Sequence, residues 1–325
     1  MNGGITIKRY QPEQAEEWKK FLAESNNGTL FHDLDFLSYH EAGKFDTHHL
    51  MFQQNENLVA LLPAAIVTEP DGRRFLKSPY GASVGGIVIS LRSRLHTALS
   101  ILDALKSYAK KIGLNGIEMR ISPNIYLIQP NDLVSFGLTL SSFKLINRWL
   151  TFIAPLSLPI DKLLSKEKRY DVRSNLKKGL NPREVGIDGL DLFYDLLTET
   201  MSRHRSTPTH QRNELMDIFK KVPGRIRLFL CAHEGEEVAG VLVFILNKSA
   251  AYTFYICESY EFRKMCGPAV LIAHIIDKLA QEGIKYLDLG PSASITDVNK
   301  GVVFFKEGLG ANGFCRDLWR WETGI

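Results

Sequence analysis

Cysteine is scarce in this chain. Four stand in 325 residues, at Cys231, Cys257, Cys266 and Cys315. No two form a C-x-x-C pair, which argues against a thiolate metal site, and no metal is expected. Their spacing fits a reducing compartment more simply than a disulfide framework. Long apolar runs are also missing. None reaches bilayer-spanning length, and the opening MNGGITIKRYQPEQAEEW has no apolar signal core. The expectation is a cytoplasmic protein with no transmembrane segment. Neither charge sign is in large excess: 40 Lys and Arg against 36 Asp and Glu leave +4. That is too little for a dedicated nucleic-acid binder, so DNA is not expected as a partner. It is compatible with an anionic nucleotide, coenzyme or tRNA. Two phosphate signatures fail as well. No G-x-G-x-x-G follows a first strand, and no G-x-x-x-x-G-K-[ST] occurs, so Rossmann and P-loop chemistry are unsupported.

What is present suits a well-cored globular protein of about two domains. Hydrophobic residues make up 45% and charged residues 23%, so disorder is not indicated. Residues 228–247 read as strand, turn HEGEE, strand, and 249–259 as a further strand. Residues 268–282 read as a helix. Its apolar Ile272, Ile275, Ile276 and Leu279 fall at helical spacing, with Asp277, Lys278, Gln281 and Glu282 on the wet side. Gly283 is a natural C-cap, and IKYLDLG (284–290) a short strand after it. The first half repeats the order: a hairpin over 50–67, a strand region over 75–89, a helix over roughly 95–112 ending at Gly113, and a strand at 114–122. Two divergent copies of one α/β unit are therefore expected, 1–155 and 156–325. Each is a mixed, mostly antiparallel sheet flanked by helices. The second copy is the expected donor-binding half.

The stretch SYEFRKMCGPAVLIAHI (259–275) carries the main chemical question. A strand, a short glycine-containing loop and a helix N-terminus make an anion site, because the first helical N–H groups lack internal partners. Gly267 would let a ligand approach the backbone, and Pro268 suits a first helical turn. Arg263 and Lys264 could add charge-assisted contacts. The same residues also read as an ordinary helix start.

The order of elements resembles the GNAT acetyltransferase superfamily, in which a loop Q/R-x-x-G-x-G/A holds the coenzyme A pyrophosphate. RKMCGPA supplies Arg263, Gly267 and Ala269, with one residue too many between the first two. The duplication is closer to the FemAB-like branch, whose members carry two such domains. The resemblance covers nearly the whole chain. It includes EEWKKFLAESNNGTLFHDLDFLSYH, KRYDVRSNLKKGL, MSRHRSTPTH and DVNKGVVFFKEGLGA. Family activities include aminoacyl transfer from tRNA to a peptidoglycan precursor, and relatives occur in polysaccharide gene sets. The branch's G-x-x-x-F-K-x-x-x-G pattern is matched by Gly301, Phe305, Lys306 and Gly310. The resemblance implies that Lys306 handles the donor and stabilises its carbonyl; otherwise Lys306 is a solvated edge residue. Its R-x-x-x-R pattern is matched by Arg169 and Arg173, which would meet phosphates or an acidic acceptor. Their alternative is a solvated face.

Further candidates come from the residues themselves. His204, in MSRHRSTPTH, has an ordinary pKa of about 6.5 and suits acid/base or acceptor-orienting work. Arg205 could pair with an anionic acceptor, and Ser292 and Asn299 lie where a cleft would open. Cys257 would stand beside the donor, reading first as apolar filler rather than nucleophile. In FHDLDF, Asp33 reads as a helix cap rather than as part of a metal site with His32.

The expected reaction is acyl transfer without a covalent enzyme intermediate, with backbone N–H groups near Ile256 and Cys257 or a lysine holding the oxyanion. The favoured donor is acyl-CoA as co-substrate, with no tightly bound cofactor. The acceptor is an amine or hydroxyl of a small-molecule or lipid-linked sugar or peptide precursor of the cell envelope, reached from the cytoplasm or the inner membrane face. A tRNA donor is less favoured, because no long charged heptad stretch is present. A non-catalytic binding module on the duplicated fold is the third alternative.

Overall fold

The computed structural model describes residues 4–203 and 205–324. In chain order the strands are β1 (Ile5–Arg9), β2 (Asp46–Thr47), β3 (Leu50–Gln54), β4 (Asn57–Leu62), β5 (Ala65–Thr68), β6 (Arg74–Ser78), β7 (Val88–Ile89) and β8 (Gly116–Arg120). They continue with β9 (Lys144–Pro155), β10 (Asn181–Val185), β11 (Ile226–His233), β12 (Glu236–Ile245), β13 (Ala250–Glu258), β14 (Tyr286–Ser294) and β15 (Asn312–Glu322). The helices are α1 (Ala15–Glu24), α2 (Leu34–Leu37), α3 (Leu95–Lys111), α4 (Leu133–Leu140) and α5 (Ile160–Leu163). They continue with α6 (Lys166–Lys177), α7 (Leu190–Arg203), α8 (Arg212–Lys221), α9 (Gly267–Gln281) and α10 (Lys300–Gly308).

Contacts divide the chain into two compact units. The first runs to Trp149 and takes back the segment from Cys315 onward; the second is Leu150–Phe314. The chain changes unit inside strands β9 and β15, and residues 153–171 hold the end of β9, then α5 and the start of α6. The C-terminal strand, counted with the second copy in the sequence, sorts with the first.

In the first unit, strands run β1-β3-β4-β7 in one sheet and β15-β8-β6-β5-β2 in another order. β6 and β8 are parallel, joined through α3, and pair from Phe75↔Gly116 to Ser78↔Met119. The core gathers Leu50, Phe52, Leu76, Ile101, Leu105 and Ile117, with Trp18 in a smaller cluster beside α1. Asp33 does cap α2, accepting from the Asp35 N–H at 2.9 Å.

In the second unit the order is β10-β11-β12-β13-β14-β9. β11, β12 and β13 are antiparallel neighbours; β13 and β14 are parallel and joined through α9. The expected hairpin, third strand, helix, glycine and strand are therefore all present. Gly283, at φ +84, ends α9 as a left-handed C′ residue. The first seven residues of α9 are buried, so its amphipathic period shows only in its second half.

α7 packs on β12 and β13 where Gly240 leaves room. A Cβ there would meet the Phe193 ring at 2.6 Å and the Cys257 Sγ at 3.1 Å. Gly240→Ala is expected to destabilise the second unit by ~1–3 kcal/mol through overpacking, measured as a lower denaturation midpoint at unchanged m-value.

Candidate active site

The pairing between β13 and β14 is brief. It covers Ala250↔Tyr286, Ala251↔Leu287 and Tyr252↔Asp288, although both strands run six residues further. A β-bulge helps to part them. The register of β12 with β13 shifts between Leu242 and Val243, which leaves Phe254 unmatched. A bulge adds local twist and bends its strand. Between the diverging strands opens a cleft of about 540 Å³, lined at its root by Tyr252, Thr253, Leu289, Gly290 and Lys306.

The β13 edge facing this cleft can be read from its neighbours. Glu258 turns its N–H and C=O to Thr200 Oγ1, at 3.0 Å each, and so away from β12. Alternation along a strand turns the N–H and C=O of Ile256 to the same edge. Ile256 lines the cleft, where no strand lies beside it.

Asp288 holds the root. Its carboxylate accepts from Thr151 Oγ1 at 2.5 Å and from the Gly290 N–H at 2.6 Å, and it is fully buried. Gly290 then adopts φ +85, a conformation glycine enters without strain. This turn presents the Gly290 carbonyl to Lys306, whose Nζ donates to it at 2.9 Å and to the Pro291 carbonyl at 3.5 Å. Lys306 is 5% exposed and lines the cleft. Its amino group is buried, so it is not a solvated edge residue.

The outer end of the cleft meets the loop before α9. Arg263, Cys266, Pro268 and Ala269 line it. The loop's surplus residue is absorbed by a 3-10 turn, Arg263–Met265, and by Cys266 in the left-handed region at φ +53. Gly267 is buried against β12: a Cβ on it would stand 2.9 Å from the Ala239 Cβ. The turn is poor in free donors. Pro268 has no N–H, and the Ala269 N–H already donates to the Cys266 carbonyl at 3.0 Å. Arg263 lies over the Tyr260 ring at 4.4 Å, and Lys264 is exposed and does not line the cleft.

The other candidates scatter. Arg169 donates to the Asp161 carbonyl at 2.6 Å, and Arg173 pairs with the Asp161 carboxylate at 2.8 Å; neither lines the cleft. Lys168, on the opposite face of α6, does line it. Asn299 caps α10, accepting from the Val302 N–H at 3.1 Å. Ser292 Oγ is buried without a hydrogen-bond partner among the described residues. Arg205 is exposed at φ +53, and His204 lies outside the described residues. Of the same segment, His210 is buried, with Nδ1 3.0 Å from the Tyr255 hydroxyl. The sequence reading missed Asp288, Thr151, Thr200 and Glu258. Asp288 left one trace: a lone acid inside the apolar strand IKYLDLG, which marks a buried polar contact.

Cys257 lines the cleft, but its Sγ points to the Gly240 carbonyl at 3.4 Å on the α7 side. Burial pushes its thiol far above neutrality. Iodoacetamide at neutral pH is therefore expected to label exposed Cys315 and to spare Cys257 until denaturant is added, read by peptide mass spectrometry.

Residues 166–298 match the family model for an acetyltransferase (GNAT) domain. No curated protein matches the chain. Among solved structures, FemX aligns at 16% identity and a TM-score of 0.75, covering 98% of this chain and 97% of that one. The C-terminal domain of a candidate lysylphosphatidylglycerol synthetase from Agrobacterium fabrum aligns at 12% identity and a TM-score of 0.60, covering 95% and 91%. A tandem GNAT protein from the clavulanic acid biosynthesis pathway aligns at 10% identity and a TM-score of 0.54, covering 99% of each. Most of the lining of the cleft between β13 and β14 thus lies in the segment that matches the GNAT domain model, with Val302, Phe305 and Lys306 just beyond it, and the chain as a whole has a fold similar to that of FemX and of the tandem GNAT protein.

Proposed function

We propose that the protein is an acyltransferase that moves an acyl group from an activated donor to an amine or hydroxyl of a cell-envelope precursor, with the transfer in the β13–β14 cleft. One observation carries this reading. A buried ammonium, Lys306, and an unpaired strand edge at Ile256 line the same small cavity. An attacked carbonyl builds negative charge on its oxygen. Fixed donors in a partly dry site stabilise that charge without reorganising. Lys306 is oriented by the Gly290 carbonyl, so it meets the oxyanion already placed. The donor's anionic part would meet Arg263 and Lys168 at the outer end. Arg205 and the neighbouring His204 remain candidates for orienting the acceptor. Arg169, Arg173 and Lys264 would serve as surface charges for a large anionic substrate.

An acyl-CoA donor is the first reading. An aminoacyl ester of tRNA is the second, and the start of α9 favours it. With Pro268 lacking an N–H and that of Ala269 in use, Gly267 alone has a free N–H in that turn to offer a pyrophosphate. The fold neighbours FemX and a lysylphosphatidylglycerol synthetase domain support the same alternative.

Calorimetry with coenzyme A, acetyl-CoA and aminoacyl-tRNA at two salt concentrations separates the two. A tRNA complex should weaken steeply with salt, and a coenzyme complex much less. Absence of binding by all three would remove the donor assignment. With the donor known, Lys306→Met is expected to lower kcat ~10²-fold or more at an unchanged circular dichroism spectrum. Near-wild-type turnover in that variant would exclude the oxyanion role.

A further inference from the structure

Among the described residues, Glu258 is the one acid that lines the cleft, beside the cations Lys168, Arg263 and Lys306. Its backbone is fixed. Thr200 Oγ1 bonds both its N–H and its carbonyl, and Arg203 Nη2 donates to the same carbonyl at 2.8 Å. Its side chain is not fixed in this way. Among the described residues no hydrogen bond reaches the Glu258 carboxylate, and no cation lies within 4.0 Å of it.

The cations around it are engaged elsewhere. Arg203 pairs with Glu199 at 3.8 Å and bonds Thr200 Oγ1 at 3.2 Å. Arg263 stacks on Tyr260, and Lys168 pairs with Asp171 at 3.5 Å while lying over the Phe305 ring. A half-buried anion without a partner is costly unless something supplies one. Burial raises its proton affinity, an effect that Arg203 and Arg263 oppose and Glu199 reinforces.

The geometry points to Glu258 as the residue that selects a substrate carrying a primary ammonium group in this cleft. The inference rests on the acyl-transfer reading and sharpens it, because thioester donors with purely anionic carriers leave Glu258 unmatched. Two sources share the required chemistry: the α-ammonium of an aminoacyl donor, or the ammonium form of an amine acceptor. A ligand with phosphate at one end and ammonium at the other would answer both signs of charge along the cavity.

The test uses two matched probe pairs on the full chain, at a pH where both amines are protonated. Puromycin, an aminoacyl nucleoside with a free α-ammonium, is compared with N-acetylpuromycin; glucosamine is compared with glucose. The ammonium member of one pair is expected to bind about tenfold or more tightly than its neutral partner, the span of a charge-assisted hydrogen bond. The puromycin pair would assign the group to the donor, and the sugar pair to the acceptor. Glu258→Gln should bring the preference within about twofold. Glu258→Asp, which keeps the charge, should retain most of it. Glu199→Gln, whose carboxylate holds the Tyr260 N–H at 2.9 Å, should leave it intact.

No preference or no binding in both pairs overturns the inference, as does a preference that survives Glu258→Gln or falls equally in Glu199→Gln. The parent reading fails differently. Absence of transfer from every activated donor would sink the parent reading, and wild-type turnover in Lys306→Met would sink its oxyanion role, each while leaving an ammonium preference in place. Lost turnover there with no ammonium preference would do the opposite.

Discussion

The second unit depends on where two strands stop pairing. β13 and β14 share three residue pairs and then part at Tyr252 and Asp288. Backbone groups left at such a fork need partners, or they line a site that will supply one. Asp288 resolves one side: its buried carboxylate takes the Thr151 hydroxyl and the Gly290 N–H. The Gly290 carbonyl goes to Lys306. On the other side Thr200 takes up Glu258, while the stretch between faces the cavity. Removing the Asp288 carboxylate would therefore reach Lys306 through the turn at Gly290.

The first unit shows what the same connection becomes without a fork. β6–α3–β8 corresponds to β13–α9–β14, as parallel strands joined through a helix. Past Ser78 the chain does not leave a gap. Gly85 bridges Ile121, and its N–H donates to the Arg120 carbonyl at 2.8 Å. Gly85 fits there because a Cβ would stand 2.7 Å from Ser78 Oγ. The loop between β6 and β7 thus continues the ladder that the second unit breaks. One topology yields a filled edge in one copy and an open cleft in the other, decided by a few residues after the third strand.

The fold was largely legible in the sequence because its signals are local. Apolar period, the turn HEGEE and the capping glycines Gly113 and Gly283 marked the elements. The repeated order gave the duplication. Lys306 was reached through family resemblance and the segment 263–269 first through its glycine-containing helix start, and both border the cleft. Other candidates lie away from the cleft for a physical reason. Arg169 and Arg173 share one helical face, but that face meets Asp161, a residue in the short α5 whose position no periodicity reveals. Thr151, Thr200 and Glu258 stand far apart in the chain: the Thr151 hydroxyl reaches the Asp288 carboxylate, and that of Thr200 reaches the Glu258 backbone. A sequence read alone carries no trace of such pairs.

How the cleft holds negative charge follows from the start of α9. A phosphate loop of backbone amides grips at short range and in one geometry. Here Pro268 lacks an N–H, that of Ala269 is spent on Cys266, and Gly267 is pressed against Ala239. What remains for an anion at that end is chiefly Arg263 and Lys168, side chains with reach but little fixed direction. Orientation in the proposed transfer would then come from Lys306, held by the Gly290 carbonyl, and from the Ile256 edge of β13. On the proposed reading, a site built this way would tolerate variety in the carrier that bears the acyl group and be exacting about the carbonyl it carries.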